Sequence, residues 1–149
     1  LERLRKRLKS HQIIALDTSI LIYHFEARTK YLPLTHIILE NIETGNNKAV
    51  ISTISLMEIA VGPLRFKRHD IVQQYEAHLA NFPNLYIADI TRDVARKAAY
   101  IRAEDKLAPP DSLLIANAII NGATLWLTND KRHDTLKAEI DVLILDEFL

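Results

Sequence analysis

Cysteine is absent from the 149 residues, which excludes disulfides, zinc-thiolate sites and thiol nucleophiles and suits a reducing compartment. Glycine is almost as scarce, with three residues, and Gly62 and Gly122 stand too isolated for a phosphate-cradling loop. No apolar run approaches the roughly 20 residues that a membrane-spanning helix needs, so no membrane partner is expected. The basic opening is followed by too little apolar sequence for a signal peptide, and the expected location is cytoplasmic. Net charge is missing as well. The 19 Lys and Arg balance 19 Asp and Glu, so no global positive field would steer a polyanion. Ser112 has no glycine-rich nucleophile elbow around it, which argues against a serine hydrolase. The six histidines (His11, His24, His36, His69, His78 and His133) lack the ligand spacing of a zinc site and read as surface or packing residues.

What is present fits one globular domain spanning residues 1–149: 48% hydrophobic and 26% charged residues, with no internal repeat, low-complexity tract or linker. The basic charge is unevenly placed. Arg3, Arg5, Lys6, Arg7 and Lys9 face only Glu2 within residues 1–10. Leu1, Leu4 and Leu8 recur at helical spacing, so this stretch is an N-terminal basic helix or extension that packs on the domain or meets a partner. Further basic clusters at 65–69, 92–97 and 131–133 read individually as solvated faces.

The pattern of short apolar runs alternating with amphipathic segments predicts a parallel sheet of about five strands covered on both faces. The strands are 12–16, 49–51, 85–88, 123–127 and 141–145. Helices are expected from Ile20, over 29–43, after Ser52-Thr53-Ile54-Ser55 to a stop at Gly62-Pro63, over 71–82 and 92–105 with Thr91 as cap, over 111–122 with Asp111 as cap, and as one or two turns over 131–139.

In such a sheet every strand ends, and every following helix begins, at one edge. Asp17 follows the first strand, Glu58 lies in the expected first turn of the helix after the second, Asp111 opens the helix after Pro109-Pro110, and Asp130 follows the fourth. Four carboxylates from four segments are therefore expected at one rim. Each alone has a plain structural use. Ser55 and Glu58 spell a capping box, Asp17 and Asp111 can cap helices, and Asn129-Asp130 can make a turn. Jointly they point to a divalent cation, because crowded carboxylates repel unless a cation compensates. Asp and Glu without His or Cys suit Mg2+ or Mn2+, which can activate water against a phosphodiester.

The stretches Leu16-Asp17-Thr18-Ser19-Ile20-Leu21-Ile22-Tyr23, Ile54-Ser55-Leu56-Met57-Glu58-Ile59 with Gly62, Pro110-Asp111-Ser112-Leu113-Leu114-Ile115-Ala116 and Leu127-Thr128-Asn129-Asp130, in that order, resemble the PIN domain, and within it the VapC-type toxin ribonucleases. The resemblance spans Ile13 to Leu145 and is specific as an ordered set. It implies a PIN-like three-layer α/β/α sandwich and a Mg2+- or Mn2+-dependent endoribonuclease with Asp17, Glu58, Asp111 and Asp130 as its acidic site. Thr18, Ser19, Thr128 and Asn129 are then orienting groups, and Asp134 is an alternative fourth acid, with Thr135 where many relatives carry an aromatic. It also implies an RNA substrate, a homodimer and, for a toxin, an antitoxin protein whose C-terminal segment fills the cleft. Arg65, Lys67, Arg68 and Lys131 are candidate phosphate contacts by their nearness in sequence to the acids. Tyr23, Phe25 and Tyr31 read as packing, with base stacking as the alternative. Two other nucleic-acid readings stand beside the toxin: a catalytically silent RNA- or protein-binding module and a stand-alone RNA-processing nuclease. A phosphotransferase of response-regulator type lacks the lysine expected beyond the last strand.

Overall fold

The computed structural model describes residues 1–136 and 140–149. Its five strands are β1 (Ile13–Leu16), β2 (Lys48–Ser52), β3 (Leu85–Ala88), β4 (Leu125–Thr128) and β5 (Asp141–Ile144). All neighbours are parallel, in the order β3-β2-β1-β4-β5. The described helices are α1 (Glu2–Lys9), α2 (Thr18–Phe25), α3 (Leu32–Glu43), α4 (Thr53–Arg65), α5 (His69–Ala80), α6 (Arg92–Asp105) and α7 (Pro109–Ile120). Alternate strand residues feed two cores. Ile14, Leu16, Ile51, Leu125, Leu127 and Leu143 pack with side chains of α1 to α5, whereas Ala15, Val50 and Trp126 pack with α6 and α7. This is the expected three-layer α/β/α sandwich. Strands buried on both faces must be apolar throughout, which is why they read as short unbroken runs.

The chain winds from β1 to β3 in one direction and then crosses to β4 and β5 on the other side of β1. That reversal leaves a crevice at the carboxyl ends of β1 and β4, where helices depart to opposite faces. The register aims two residues into it. Leu16 pairs with Leu127, and the Asp17 N–H donates to the Leu127 carbonyl at 2.9 Å, so Asp17 and Thr128 follow side by side.

Several elements differ from expectation for local reasons. α3 starts at Leu32 rather than residue 29, with Pro33 in its first turn, where a missing N–H costs nothing. α5 runs over His69–Ala80 rather than 71–82. α4 does not stop at Gly62-Pro63 but continues to Arg65. Pro63 falls in the last turn, and its carbonyl is taken by the N–H groups of Phe66 and Arg68. The same helix begins before the expected capping box, because Ser52 is its N-cap and accepts from the Ile54 N–H at 3.0 Å. Glu58 consequently stands in the second turn, not the first, and Ser55 is released from capping.

Asp111 is not a cap either. Ala108 precedes α7 in extended conformation, Pro109 opens the helix, and Asp111 sits within the first turn, where the helix dipole favours a carboxylate. At the other end Gly122 (φ +87°) closes α7. Its N–H donates to Ile119 and that of Ala123 to Ala118, both at 3.0 Å. This left-handed closure uses Ala123, so β4 starts only at Leu125. Of the helical turns expected over 131–139, Lys131–Thr135 forms a 3-10 turn, and residues 137–139 lie outside the described residues. β3 and α6 have the expected bounds, with the Thr91 hydroxyl accepting from the Val94 N–H at 3.2 Å.

The basic N-terminal helix packs on the sandwich. Leu4 and Leu8 are fully buried while Leu1 is exposed. Arg3 donates to the Glu147 carbonyl at 2.7 Å, and Arg7 to Asp141 at 2.9 Å and the Val142 carbonyl at 3.1 Å. Among the described residues no helix is long and apolar enough to cross a membrane.

Candidate active site

Asp17 ends β1 and caps α2, so its carboxylate is fixed by the corner that changes the chain's direction. One oxygen accepts from the Thr18 N–H at 2.7 Å and the other from the Thr128 hydroxyl at 2.6 Å. The residue is buried. Burial pushes its pKa above the usual carboxylate range and Asp111 adds to that push, against the Thr128 bond and the Thr18 N–H. Thr128 also accepts from the Asp130 N–H at 3.1 Å, so one threonine couples the ends of β1 and β4.

Glu58 reaches the same corner through Thr18. The Thr18 hydroxyl donates to Glu58 Oε1 at 2.6 Å. With its single proton so used, it accepts from the Ser55 hydroxyl at 2.8 Å. The chain Ser55, Thr18, Glu58 thus joins α4 to α2. Ser55 was hidden in the sequence because its spacing to Glu58 imitates a capping box.

Asp111 and Asp130 meet across the crevice at His133. The fully buried His133 ring places Nε2 3.5 Å from Asp111 Oδ2 and 3.7 Å from Asp130 Oδ2. Ligand atoms of these three residues lie within 4.8 Å of one another. Asp130 is engaged elsewhere too. Arg132 donates Nε to Oδ1 at 3.0 Å and Nη2 to Oδ2 at 2.6 Å, and the Arg132 N–H donates to Oδ1 at 3.0 Å. These bonds hold the Asp130 pKa down to about 2.

The remaining candidates divide. Thr18 and Thr128 touch acids. Ser19 Oγ is buried without a hydrogen-bond partner. Asn129 points away from the acids, donating to the Tyr23 and Tyr31 hydroxyls at 3.2 and 3.1 Å and accepting from the Asp146 N–H at 2.8 Å. It ties strand ends to α2 and α3. Tyr23 and Tyr31 stack on each other at 4.1 Å and Phe25 stacks on Tyr75 at 4.4 Å, which is packing. Asp134 is exposed, one turn beyond Asp130. Lys131 is exposed at the rim next to Asp130. Arg65 ends α4, about 10 Å along the helix from Glu58 at 1.5 Å per residue, Lys67 and Arg68 follow in the turn to α5, and Arg68 is paired with Asp70 at 2.8 Å.

A family model described as "PIN domain" matches residues 14–139. The chain belongs to the PIN-domain family. Solved structures agree on the fold. A VapBC2 complex from Rickettsia felis bound to a DNA fragment from its promoter contains a chain with TM-score 0.71 and 22% identity, covering 89% of this chain and 98% of that one. A toxin-antitoxin complex from Klebsiella pneumoniae gives 0.67 and 24%, with 89% and 97% covered. DNA-bound VapBC from Salmonella typhimurium gives 0.66 and 21%, with 90% and 98% covered. Among curated proteins none matches.

The donors of this PIN domain suit a hard divalent cation. Asp17 is buried beside Asp111, and its neighbouring donors do not fully offset the burial. Asp130 meets Asp111 at His133, and Glu58 reaches the Asp17 corner from its Thr18 side. Oxygen ligands of this kind fit Mg2+ or Mn2+ better than softer ions.

Proposed function

We propose that this PIN domain is a Mg2+- or Mn2+-dependent endoribonuclease acting as the toxin of a VapBC-type pair. The observation that carries the reading is the convergence of Asp17, Asp111 and Asp130, three acids far apart in sequence, on the crevice between β1 and β4. Asp17 and Asp111 would hold the ion, with Glu58 and Asp130 completing the acidic lining. A bound divalent ion supplies positive charge that acidifies water and offsets the charge of a phosphodiester. The protein's own residues do the positioning: Thr128 and the Thr18 N–H fix both oxygens of Asp17, and Ser55 and Thr18 fix Glu58.

Residues 1–149 form one domain in this reading, with the helix at 1–10 as its extension, and it works in the cytoplasm as a homodimer. Lys131 contacts substrate phosphate at the rim, and Arg65, Lys67 and Arg68 contact it further out. The similarity to toxin chains solved with their antitoxins supports a protein partner. So does α4, whose Met57, Val61 and Leu64 form an exposed apolar stripe continued by Phe66, which is 81% exposed. A short neighbouring reading frame encoding a DNA-binding domain and a disordered tail is expected. A solitary locus would point to RNA processing instead.

The enzymatic test is cleavage of single-stranded RNA with and without chelator. Asp17→Asn and Asp111→Asn should each abolish metal-dependent cleavage, a loss of at least about 100-fold, with unchanged circular dichroism. Full activity in either folded variant would remove the mechanism.

A further inference from the structure

We propose that His133 is a positioning residue that carries its proton on Nε2 and braces the Asp111 and Asp130 carboxylates from behind, rather than a ligand for the ion. The inference rests on the metal-site reading above and adds to it a residue that sequence spacing assigned to surface or packing.

The geometry on the other side of the ring decides the matter. Trp126, the second residue of β4, points its indole into the core beneath α7, and its Nε1 lies 3.1 Å from His133 Nδ1. An indole N–H can only donate, so Nδ1 must accept. A neutral imidazole whose Nδ1 accepts has its proton on Nε2. That N–H is fully buried, has no hydrogen-bond partner, and its nitrogen lies 3.5 Å from Asp111 Oδ2 and 3.7 Å from Asp130 Oδ2. Both distances exceed a hydrogen bond, so the ring acts on the two carboxylates through the partial positive charge of its N–H edge and not through a formed bond.

The spacing of Asp111, Asp130 and His133 alone could hold an ion, but the hydrogen-bond direction opposes it. A histidine that binds metal through Nε2 keeps its proton on Nδ1 and donates it to an acceptor behind the ring. Here a donor stands in that place. His133 therefore presents a positive edge to two carboxylates that would otherwise repel each other, and it braces Asp130 together with its Arg132 partner.

Two measurements on the full chain test this. The first is long-range proton-nitrogen correlation of histidine side chains with and without Mg2+. His133 should show the Nε2-protonated tautomer in both states. A proton on Nδ1, or one that moves there when Mg2+ is added, overturns the proposal. The second is calorimetric Mn2+ titration of His133→Gln, which keeps a donor, and His133→Phe, which does not. His133→Phe should weaken Mn2+ binding by about 10-fold or more while His133→Gln stays within a few-fold of the parent. Equal affinity in all three, or equal loss in both variants, overturns it. Absence of Mn2+ uptake by the parent sinks the nuclease reading, and in that case the tautomer still decides the placement of the His133 proton.

Discussion

Asp17 carries its charge where burial opposes it, and this sets the balance between stability and function at a single residue. Its folded pKa is raised above the ordinary 3.8, chiefly by burial. The stability it contributes is therefore fully present below that value and is lost as pH rises through the folded pKa. At neutral pH without metal the ionised group opposes folding. Asp17→Asn should accordingly raise the melting temperature in chelator, and should lose the extra stability that Mn2+ confers on the parent. Thermal melts with EDTA and with Mn2+ check both halves. A variant less stable than the parent in EDTA would show that the Thr128 and Thr18 bonds outweigh the burial. At this scale Asp17, Asp111 and Asp130 were legible because strand ends and helix starts share one edge of a parallel sheet. Ser55 and His133 were not. Ser55 depends on where α4 begins, and His133 depends on an indole seven residues earlier that only the folded core brings to its ring.

Among the elements, α4 shows how context overrides punctuation. Gly62-Pro63 reads as a stop, yet the helix passes through it, because a proline in the last exposed turn breaks few bonds. Gly62 has nothing within 4 Å of where a Cβ would stand and no left-handed backbone angle. Gly62→Ala should thus stabilise the protein by about 0.5–1 kcal/mol through the entropy of the unfolded chain, read as a higher urea midpoint. A lower midpoint would mean that α4 does end where the sequence suggested. The contact of α2 with α3 and α5 offers a second test. His24 of α2 lies among His36 and His78, and burial, then those two neighbours, lowers its pKa below the ordinary 6.5. Unfolded, it binds a proton more readily than folded. Its contribution is present above pH 6.5 and is lost as pH falls toward the folded pKa. The urea midpoint should fall between pH 7.5 and 5.5, and His24→Gln should flatten that slope. An unchanged slope would show that folding does not lower the affinity of His24 for its proton. Element types were legible from apolar periodicity, whereas the ends of α3, α4 and β4 moved by a few residues, set by caps and by the left-handed closure at Gly122.

For the whole molecule, the sheet's parallel sense and strand number follow from short apolar runs separated by helices. The order β3-β2-β1-β4-β5 and the seat of α1 do not, because they depend on which faces bury each other. Leu4 and Leu8 are core residues, so the basic opening of the chain is bound to the sandwich through its apolar side and through Arg3 and Arg7. The winding order also determines the crevice: only the reversal beside β1 brings Asp17 against Thr128, and through it toward Asp130 and Asp111. The most direct test of that convergence is anomalous diffraction from crystals soaked in Mn2+. A manganese peak bounded by the carboxylates of Asp17 and Asp111, and missing in Asp111→Asn crystals, is the expected result. Saturating Mn2+ with no peak between those two side chains would contradict it.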